Sequence, residues 1–221
     1  QFNCESNTHG QQIKPQPHSV GSSAVHTLPD ITGDLIAGKI GGTNFTSSLL
    51  IGHATTGTLD AANYNTIIGD AAGNEITSGD NNTLVGFNSG TELKAGANNI
   101  GVGGYTFSAL TTQANNTAVG YLSQKDATGS GNTSLGYDAL EDVTGNYNIG
   151  IGYTAGKNIT TGSGNVIIGD VDAAAADSAR TLKIAGNDGS TLTTWISGDS
   201  SANVVIGGTV TEYGGASLTT T

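Results

Sequence analysis

The chain has 221 residues, a formal net charge of −11 and only 11% charged residues, with seven lysines and arginines against 18 acids. So few scattered cations cannot form the basic patch that nucleic acid or an anionic membrane surface requires, so neither is a predicted partner. Disorder normally accompanies high charge, whereas this chain is rich in glycine and poor in charge, which favours a folded, polar β-protein. Its single cysteine excludes an intrachain disulfide.

The first segment, residues 1–44, is predicted to be a small β-module. Strands are predicted near 2–5 and 24–28, and Pro15 and Pro17 place the chain between them at a sheet edge or bulge. No apolar run approaches about 18 residues, so no membrane insertion is predicted. No signal peptide is visible at the start, and we expect the chain to be a piece of a longer one.

The second segment, residues 45–170, repeats one short phrase, as in NNTLVGF at 81–87 and NNTAVGY at 115–121. A period this short predicts a solenoid with one coil per repeat. Numbering each seven-residue phrase from the glycine at its sixth position gives a series that begins with Gly52 in SLLIG and in which neighbours lie 16 or 17 residues apart: Gly52, Gly69, Gly86, Gly103, Gly120, Gly136, Gly152 and Gly169.

Two columns of the repeat, at positions −3 and −1 from the glycine, are almost entirely β-branched, which is typical of strands. Side chains two apart in a strand share a face, so we predict that both columns point into the coil. The −3 column contains Thr66, Thr83, Ile100, Thr117, Thr133, Ile149 and Val166. The −1 column contains Ile68, Val85, Val102, Val119, Leu135, Ile151 and Ile168.

The −2 column between them is never charged, although a solvated face would be expected to carry charge somewhere. We therefore predict that it packs against neighbouring chains in a homotrimer, the alternative being a small, exposed face. These trimer-packing candidates are Ile67, Leu84, Gly101, Ala118, Ser134, Gly150 and Ile167.

The −4 column is invariably asparagine. Stacked asparagines form amide ladders and tolerate tight corners, so we predict a structural rather than a ligand-binding role. The ladder contains Asn65, Asn82, Asn99, Asn116, Asn132, Asn148 and Asn165.

Each coil is predicted to run strand, corner, strand, turn, with glycines such as Gly79 and Gly96 supplying positive φ in the turn. Residues 171–179 break the period and are predicted to be a linker with at most one helical turn. Residues 180–221 are predicted to form a β-meander with strands near 181–185, 192–196 and 203–207. The predicted fold is therefore an all-β, parallel β-roll or β-solenoid, assembled as a fibrous homotrimer and flanked by small β-modules.

The stretch NNTAVGYLSQKDATGSGNTSLGYDALEDVTGNYNIGIGYTAG (115–156) resembles the head repeats of trimeric autotransporter adhesins, whose period is typically shorter. The NTxxGY variety looks like repeats in tail fibres of tailed bacteriophages, especially marine ones. Residues 2–38 and 180–208 look like modules of such fibres. The resemblance implies a non-catalytic structural and adhesive trimer in a virion tail, with other tail or baseplate proteins and a host-surface glycan or protein as partners. The alternative is the head of an adhesin on a bacterial cell surface.

Residues that bear chemistry are few. A glycan-degrading tailspike needs paired carboxylates, and Asp126, Asp138, Glu141 and Asp142 offer them in corner segments, where solvated charge is the default. An ice-binding solenoid needs a flat threonine array, but Ile100, Ile149 and Val166 interrupt the −3 threonines, and we predict that this column serves as core instead. We predict no metal or cofactor. Receptor contact is predicted at variable corner loops, through Lys94, Gln113, Lys125, Asp126, Glu141 and Asp142.

Overall fold

The computed structural model describes residues 38–40, 49–51 and 61–208, so most of the predicted N-terminal module lies outside the described residues. The described residues contain no helix, and their twelve strands form one sheet in sequence order. The strands are β1 Gly38–Ile40, β2 Leu49–Ile51, β3 Thr66–Ile68, β4 Thr83–Val85, β5 Ile100–Val102, β6 Thr117–Val119, β7 Thr133–Leu135, β8 Ile149–Ile151, β9 Val166–Ile168, β10 Leu182–Asn187, β11 Leu192–Gly198 and β12 Val204–Ile206.

Strands β2 to β10 are parallel, and each coil of the repeat adds one of them to the sheet. The pairing joins equivalent positions of successive coils, such as Ile67 with Leu84 and Ala118 with Ser134. The prediction of an all-β, parallel β-solenoid with coils of 16–17 residues is therefore confirmed.

The predicted second strand of each coil is wrong, because the chain after each phrase glycine runs through turns. Non-glycine residues in these turns adopt left-handed backbone conformations, as at Asn88 (φ 56°) and Tyr105 (φ 59°). Their backbone groups bond between coils: Asn88 N donates to Asp70 O at 3.0 Å and Tyr105 N to Phe87 O at 2.8 Å. Bonds to the neighbouring coil replace a second strand and support conformations that are unfavourable in isolation.

The glycines that precede the asparagines by three residues have a different role from the predicted one. None of the five, Gly79, Gly96, Gly129, Gly145 and Gly162, has positive φ. A Cβ atom on any of them would overlap a backbone carbonyl of the next coil, such as that of Gly96 above Gly79. Close stacking of the coils, rather than a special backbone conformation, therefore requires glycine here.

The orientation of the strands is the opposite of the predicted one. The −2 side chains, including Ile67, Leu84 and Ala118, are fully buried within the coil, and the −3 and −1 side chains face outward. Alternation explains why: positions −4 and −2 share a face, and the asparagines at −4 are buried. The proposed trimer-packing residues Ile67, Leu84, Gly101, Ala118, Ser134, Gly150 and Ile167 thus line the chain's own core, and their lack of charge reflects burial.

Two further columns complete this core. Position +7 packs opposite the strand and is fully buried in each of six coils: Ile76, Leu93, Leu110, Ala127, Val143 and Ile159. Position +4 fills the space that −2 leaves in some of the coils. Gly73 and Gly90 lie against Ile67 and Leu84, whereas Phe107 occupies the space beside Gly101. Where both positions are glycine, as at Gly150 and Gly156, Leu140 of the preceding coil lies against them, so the core stays close-packed.

The predicted linker is instead part of the last coil, and no helical turn is present in it. Val171 and Ala173 are buried in the same core. Asn165 Nδ2 donates to Ser178 O at 2.6 Å, and Val166 N donates to Thr181 O at 2.8 Å. β10 then pairs in parallel with β9 before β11 and β12 follow as antiparallel strands. The sheet therefore continues from the solenoid into the meander without a boundary.

Candidate functional site

The outward side chains of the parallel strands form one continuous surface, which we call the outer strip. Each of its residues is exposed or half-exposed, up to 44% for Ile100 and 50% for Leu135, and none carries a charge. The outer strip consists of Thr66, Ile68, Thr83, Val85, Ile100, Val102, Thr117, Val119, Thr133, Leu135, Ile149, Ile151, Val166 and Ile168.

The outer strip is regular and long. Parallel strands are spaced by about 4.8 Å, so β3 to β9 cover about 30 Å along the solenoid axis. Within each three-residue strand only the −3 and −1 positions project outward, giving two parallel rows of threonine, valine, isoleucine and leucine. The chain has a net charge of −11, so two copies repel each other over most of their surface. The outer strip carries no charge, so a second copy could approach it without this repulsion.

The asparagines behind the outer strip form a continuous buried ladder. Each side-chain oxygen accepts the backbone N–H of the equivalent residue in the next coil, as from Asn148 N to Asn132 Oδ1 at 2.8 Å. At the end of the ladder the donor is Thr181 N, which bonds to Asn165 Oδ1 at 3.0 Å. Each Nδ2 donates to a carbonyl of the next coil, as from Asn132 to Gly145 O at 2.9 Å. Amide-to-amide bonds add to this where geometry permits, as from Asn165 Nδ2 to Asn148 Oδ1 at 2.9 Å. The ladder fixes the spacing of the strands that carry the outer strip.

An aromatic ladder follows the corner beyond the strands. It consists of Phe87, Tyr105, Tyr121, Tyr137 and Tyr153, with successive ring centroids 5.2, 5.8, 6.0 and 5.2 Å apart. The first two pairs are edge-to-face, and the last two are stacked. Aromatic pairs at these distances are attractive, so the ladder also ties successive coils together.

The corner carboxylates predicted from the sequence do lie together. Single oxygens of Asp126, Glu141 and Asp142 lie within 4.8 Å of one another. Lys125 Nζ lies 2.7 Å from Asp126 Oδ2 and 3.8 Å from Glu141 Oε1, and Lys157 Nζ lies 3.0 Å from Glu141 Oε2. Two ammonium groups therefore offset only part of the negative charge of these carboxylates, and the cluster is an ion-pair network across neighbouring coils.

Asp138 is the buried member of this network. Its side chain is only 6% exposed, its Oδ2 pairs with Lys157 Nζ, and its Oδ1 has no hydrogen-bond partner among the described residues. The hydrogen bond to Asp138 and, to a smaller extent, the one to Glu141 raise the pKa of Lys157. The hydrogen bond to Asp126 raises the pKa of Lys125. Both lysines are therefore held as cations, which suits bridging rather than proton transfer.

The remaining predicted contact residues are engaged locally. Lys94 pairs with Glu75 of the preceding coil at 3.1 Å. Gln113 Oε1 accepts backbone N–H groups of Thr111 and Thr112 at 2.9 and 3.0 Å, which shapes its own turn. These residues lie on the surface, but no geometry joins them to the ion-pair network as one receptor site.

No family model, curated protein or solved structure matches the chain significantly. In the part of the chain that the structure describes, there is also no helix that could span a membrane. The fold defines a β-solenoid repeat protein. Its most extensive distinctive surface is the outer strip.

Proposed function

We propose that the chain is a structural and adhesive segment of a fibrous homotrimer, a tail fibre of a tailed bacteriophage, with no catalytic role. The observation that carries this proposal is the outer strip. Three copies arranged in parallel about an axis, each turning its outer strip inward, would bury the β-branched rows of all three chains.

The energetics favour this arrangement. The outer strip keeps branched aliphatic side chains half in water, and burying apolar surface stabilises by roughly 25 cal/mol per Å². Elsewhere three chains of net charge −11 repel one another, so an uncharged interface is the one along which they can approach. The two rows are also in register from coil to coil, so identical chains can pack row against row over the full length of the solenoid.

A fibre also needs stiffness along its axis. Each coil is bonded to the next by the strand ladder and the asparagine ladder, and the aromatic ladder adds to them from Phe87 to Tyr153. Such a solenoid behaves as a one-dimensional stack whose length follows the number of coils. This supports a rod that holds binding surfaces at a distance from the body to which it is attached.

The native mass of the purified chain, measured across a range of concentrations, tests the proposal. We expect a trimer that persists on dilution, because interlocked coils separate slowly. A folded monomer at every concentration would contradict it.

An adhesin head on a bacterial surface would share this assembly, so a second experiment distinguishes the two. Antibodies against residues 61–208 should label phage particles in a lysate if the chain belongs to a tail fibre, and intact cells if it belongs to an adhesin.

Ice binding is a second candidate, because the structure removes the reason for setting it aside. The threonines of the −3 column, Thr66, Thr83, Thr117 and Thr133, face outward in one row of the sheet rather than filling a core. Ile100, Ile149 and Val166 interrupt the row, and the −1 row is aliphatic, which is why assembly remains the first proposal. Thermal hysteresis measured on a monomeric sample would favour ice binding; normal freezing would exclude it.

A further inference from the structure

The meander contains one irregularity, centred on Trp195. Ile184 pairs with Ile196, but the next residue, Ala185, pairs with Thr194, so Trp195 is an extra residue in β11. Such a β-bulge redirects the side chain of the inserted residue and is frequent beside functional sites. Trp195 is the only tryptophan of the chain, and 52% of it is exposed.

The backbone opposite makes room for the indole ring. A Cβ atom at Gly186 would lie 2.5 Å from Trp195 Cζ2 and 2.7 Å from Cη2, closer than real contacts allow. Only glycine lets the ring lie against β10 in this position. The bulge and the glycine together hold a large aromatic surface in place on the outside of the sheet, although burial alone would favour turning it inward.

Polar groups surround the ring. Gly186, Asn187, Asp188, Thr191, Thr193 and Trp195 line an open concavity of about 440 Å³. Asp188 Oδ1 accepts backbone N–H groups of Ser190 at 2.9 Å and Thr191 at 2.7 Å, and these bonds hold the pKa of Asp188 below its usual range. Asn187 is fixed by donating to Asp170 Oδ2 at 2.8 Å and accepting from Gly189 N at 2.9 Å. The rim is therefore preorganised.

We propose that this concavity binds a neutral saccharide. The indole of Trp195 stacks on the C–H face of a pyranose ring, while the hydroxyl groups of Thr191 and Thr193 donate or accept hydrogen bonds at the sugar hydroxyl groups and the Asp188 carboxylate accepts them. An apolar platform with a few placed polar groups at its edge is the usual composition of a small-ligand site. This inference deepens the proposed attachment role, on which it rests, by naming the class of receptor.

Charge narrows the choice of ligand. An ionised Asp188 in a chain of net charge −11 disfavours phosphates, nucleotides and other anions. A quaternary ammonium ion would be drawn to an aromatic ring, but its recognition typically uses a cage of several rings. Trp195 is a single platform with hydroxyl groups beside it. A neutral sugar matches both the flat face and the polar rim.

The site is open, so the affinity of one copy should be low, with a Kd of about 1 mM. Three copies in a trimer and several fibres on a particle would raise the overall affinity by ~10²-fold or more.

The experiment uses the full chain in its native assembly and a panel of neutral oligosaccharides of glucose, galactose, mannose, N-acetylglucosamine and N-acetylgalactosamine. Trp195 emission reports binding directly, since no other tryptophan contributes. Saturation-transfer difference NMR reports which sugar protons touch protein. For the wild type we expect a saturable emission change with at least one sugar and saturation transfer centred on the ring C–H protons of that sugar. Saturation transfer should be lost in Trp195→Ala, partly retained in Trp195→Phe and weakened in Thr193→Val. Tyr147→Ala is the matched control, because it removes an exposed aromatic ring that lies outside the aromatic ladder and leaves the concavity intact.

Three results would overturn the inference: no saturable response to any sugar of the panel, undiminished saturation transfer in Trp195→Ala, or saturation by choline chloride without saturation by any sugar. Native mass measured on the same samples separates this inference from the proposed function. A trimer that binds no sugar overturns the saccharide site alone, whereas a monomer that binds sugar overturns the assembly alone.

Discussion

The solenoid and the meander use the same sheet in different ways. In the solenoid every position is repeated from coil to coil, so each buried asparagine, core residue and outer-strip residue has equivalents above and below it. In the meander the repetition ends, β11 carries a bulge, and Trp195 and the residues of β12 are exposed. Repetition gives the solenoid its length and stiffness, whereas the meander holds Trp195 at a bulge that has no equivalent in the coils. Four substitutions in the solenoid test how its repeats hold together, and the most disruptive of them comes first.

Placing a charge inside a coil should destroy the solenoid. Ala118 is fully buried at −2, so Ala118→Asp would place an unpaired carboxylate in the core at a cost of several kcal/mol. We expect loss of β-structure by circular dichroism and a collapse of the cooperative melt. Ala95→Asp, on an exposed turn, is the control and should melt as the wild type does. A folded, wild-type-like Ala118→Asp protein would show that the coil orientation described here is incorrect.

Breaking one rung of the asparagine ladder should have the next largest effect. Asn132→Ala removes the acceptor for Asn148 N and the donor to Gly145 O, and both groups are buried. Leaving them unsatisfied should lower the free energy of unfolding by about 3 kcal/mol. Asn146→Ala is the matched control, since the bond of Asn146 Oδ1 with Ser130 N is exposed to water. Denaturation curves of equal midpoint for the two variants would contradict a structural role for the buried ladder.

Removing a ring from the aromatic ladder should have a smaller effect. Tyr137 stacks on both Tyr121 and Tyr153, and each aromatic pair contributes about 0.5–1.5 kcal/mol. We expect Tyr137→Ala to lower the free energy of unfolding by about 2 kcal/mol. Tyr147, which is 74% exposed and outside the ladder, provides the control Tyr147→Ala. Equal melting temperatures for both variants would mean that the ladder has no stabilising role.

Removing Lys157 should have the smallest effect of this series and a diagnostic pH dependence. Lys157→Met leaves Asp138 buried without its cation, but the lysine side chain is 44% exposed, so we expect a loss of only about 1 kcal/mol. The folded-state pKa of Lys157 is raised above 10.5. Its contribution is therefore complete below pH 10.5 and is lost as pH rises through the folded-state pKa.

Comparing wild type with Lys157→Met from neutral to strongly alkaline pH checks this. The stability difference should be constant near neutrality and should shrink above pH 10.5. Lys94→Met is the control for an exposed pair and should differ little from wild type throughout. A difference that grows at high pH would contradict the assigned ion pair.

Much of the solenoid was predictable because its signals are local. The glycine spacing gives the period, the β-branched residues mark the strands, and the invariant asparagines indicate the ladder. The sequence also contains the information on which face of each strand points into the coil. If Asn82 points inward, Leu84 must point inward too, because side chains two apart in a strand share a face. The buried +7 residues, such as Leu93 and Leu110, form a second apolar column in the sequence. This column indicates which side chains pack against the −2 residues inside the coil.

The candidate sites were less predictable because they depend on contacts between distant residues. The close approach of Asp126 to Glu141 can be predicted only if the stacking of the turns of neighbouring coils is known. The bulge at Trp195 arises from a change of register between β10 and β11, and no residue in β11 alone signals it. The last coil was missed because Thr181 and Ala185 replace the usual asparagine and glycine.

The proposed function depends on the outer strip being the interface between copies of this chain. Native mass spectrometry of Val102→Asp beside Tyr147→Asp is the decisive experiment, since both residues are exposed but only Val102 lies in the outer strip. Three unpaired charges at one interface should prevent assembly without entering the core. We expect a trimer for wild type and Tyr147→Asp and a folded monomer for Val102→Asp. A trimer in all three samples, or a monomer in all three, would contradict it.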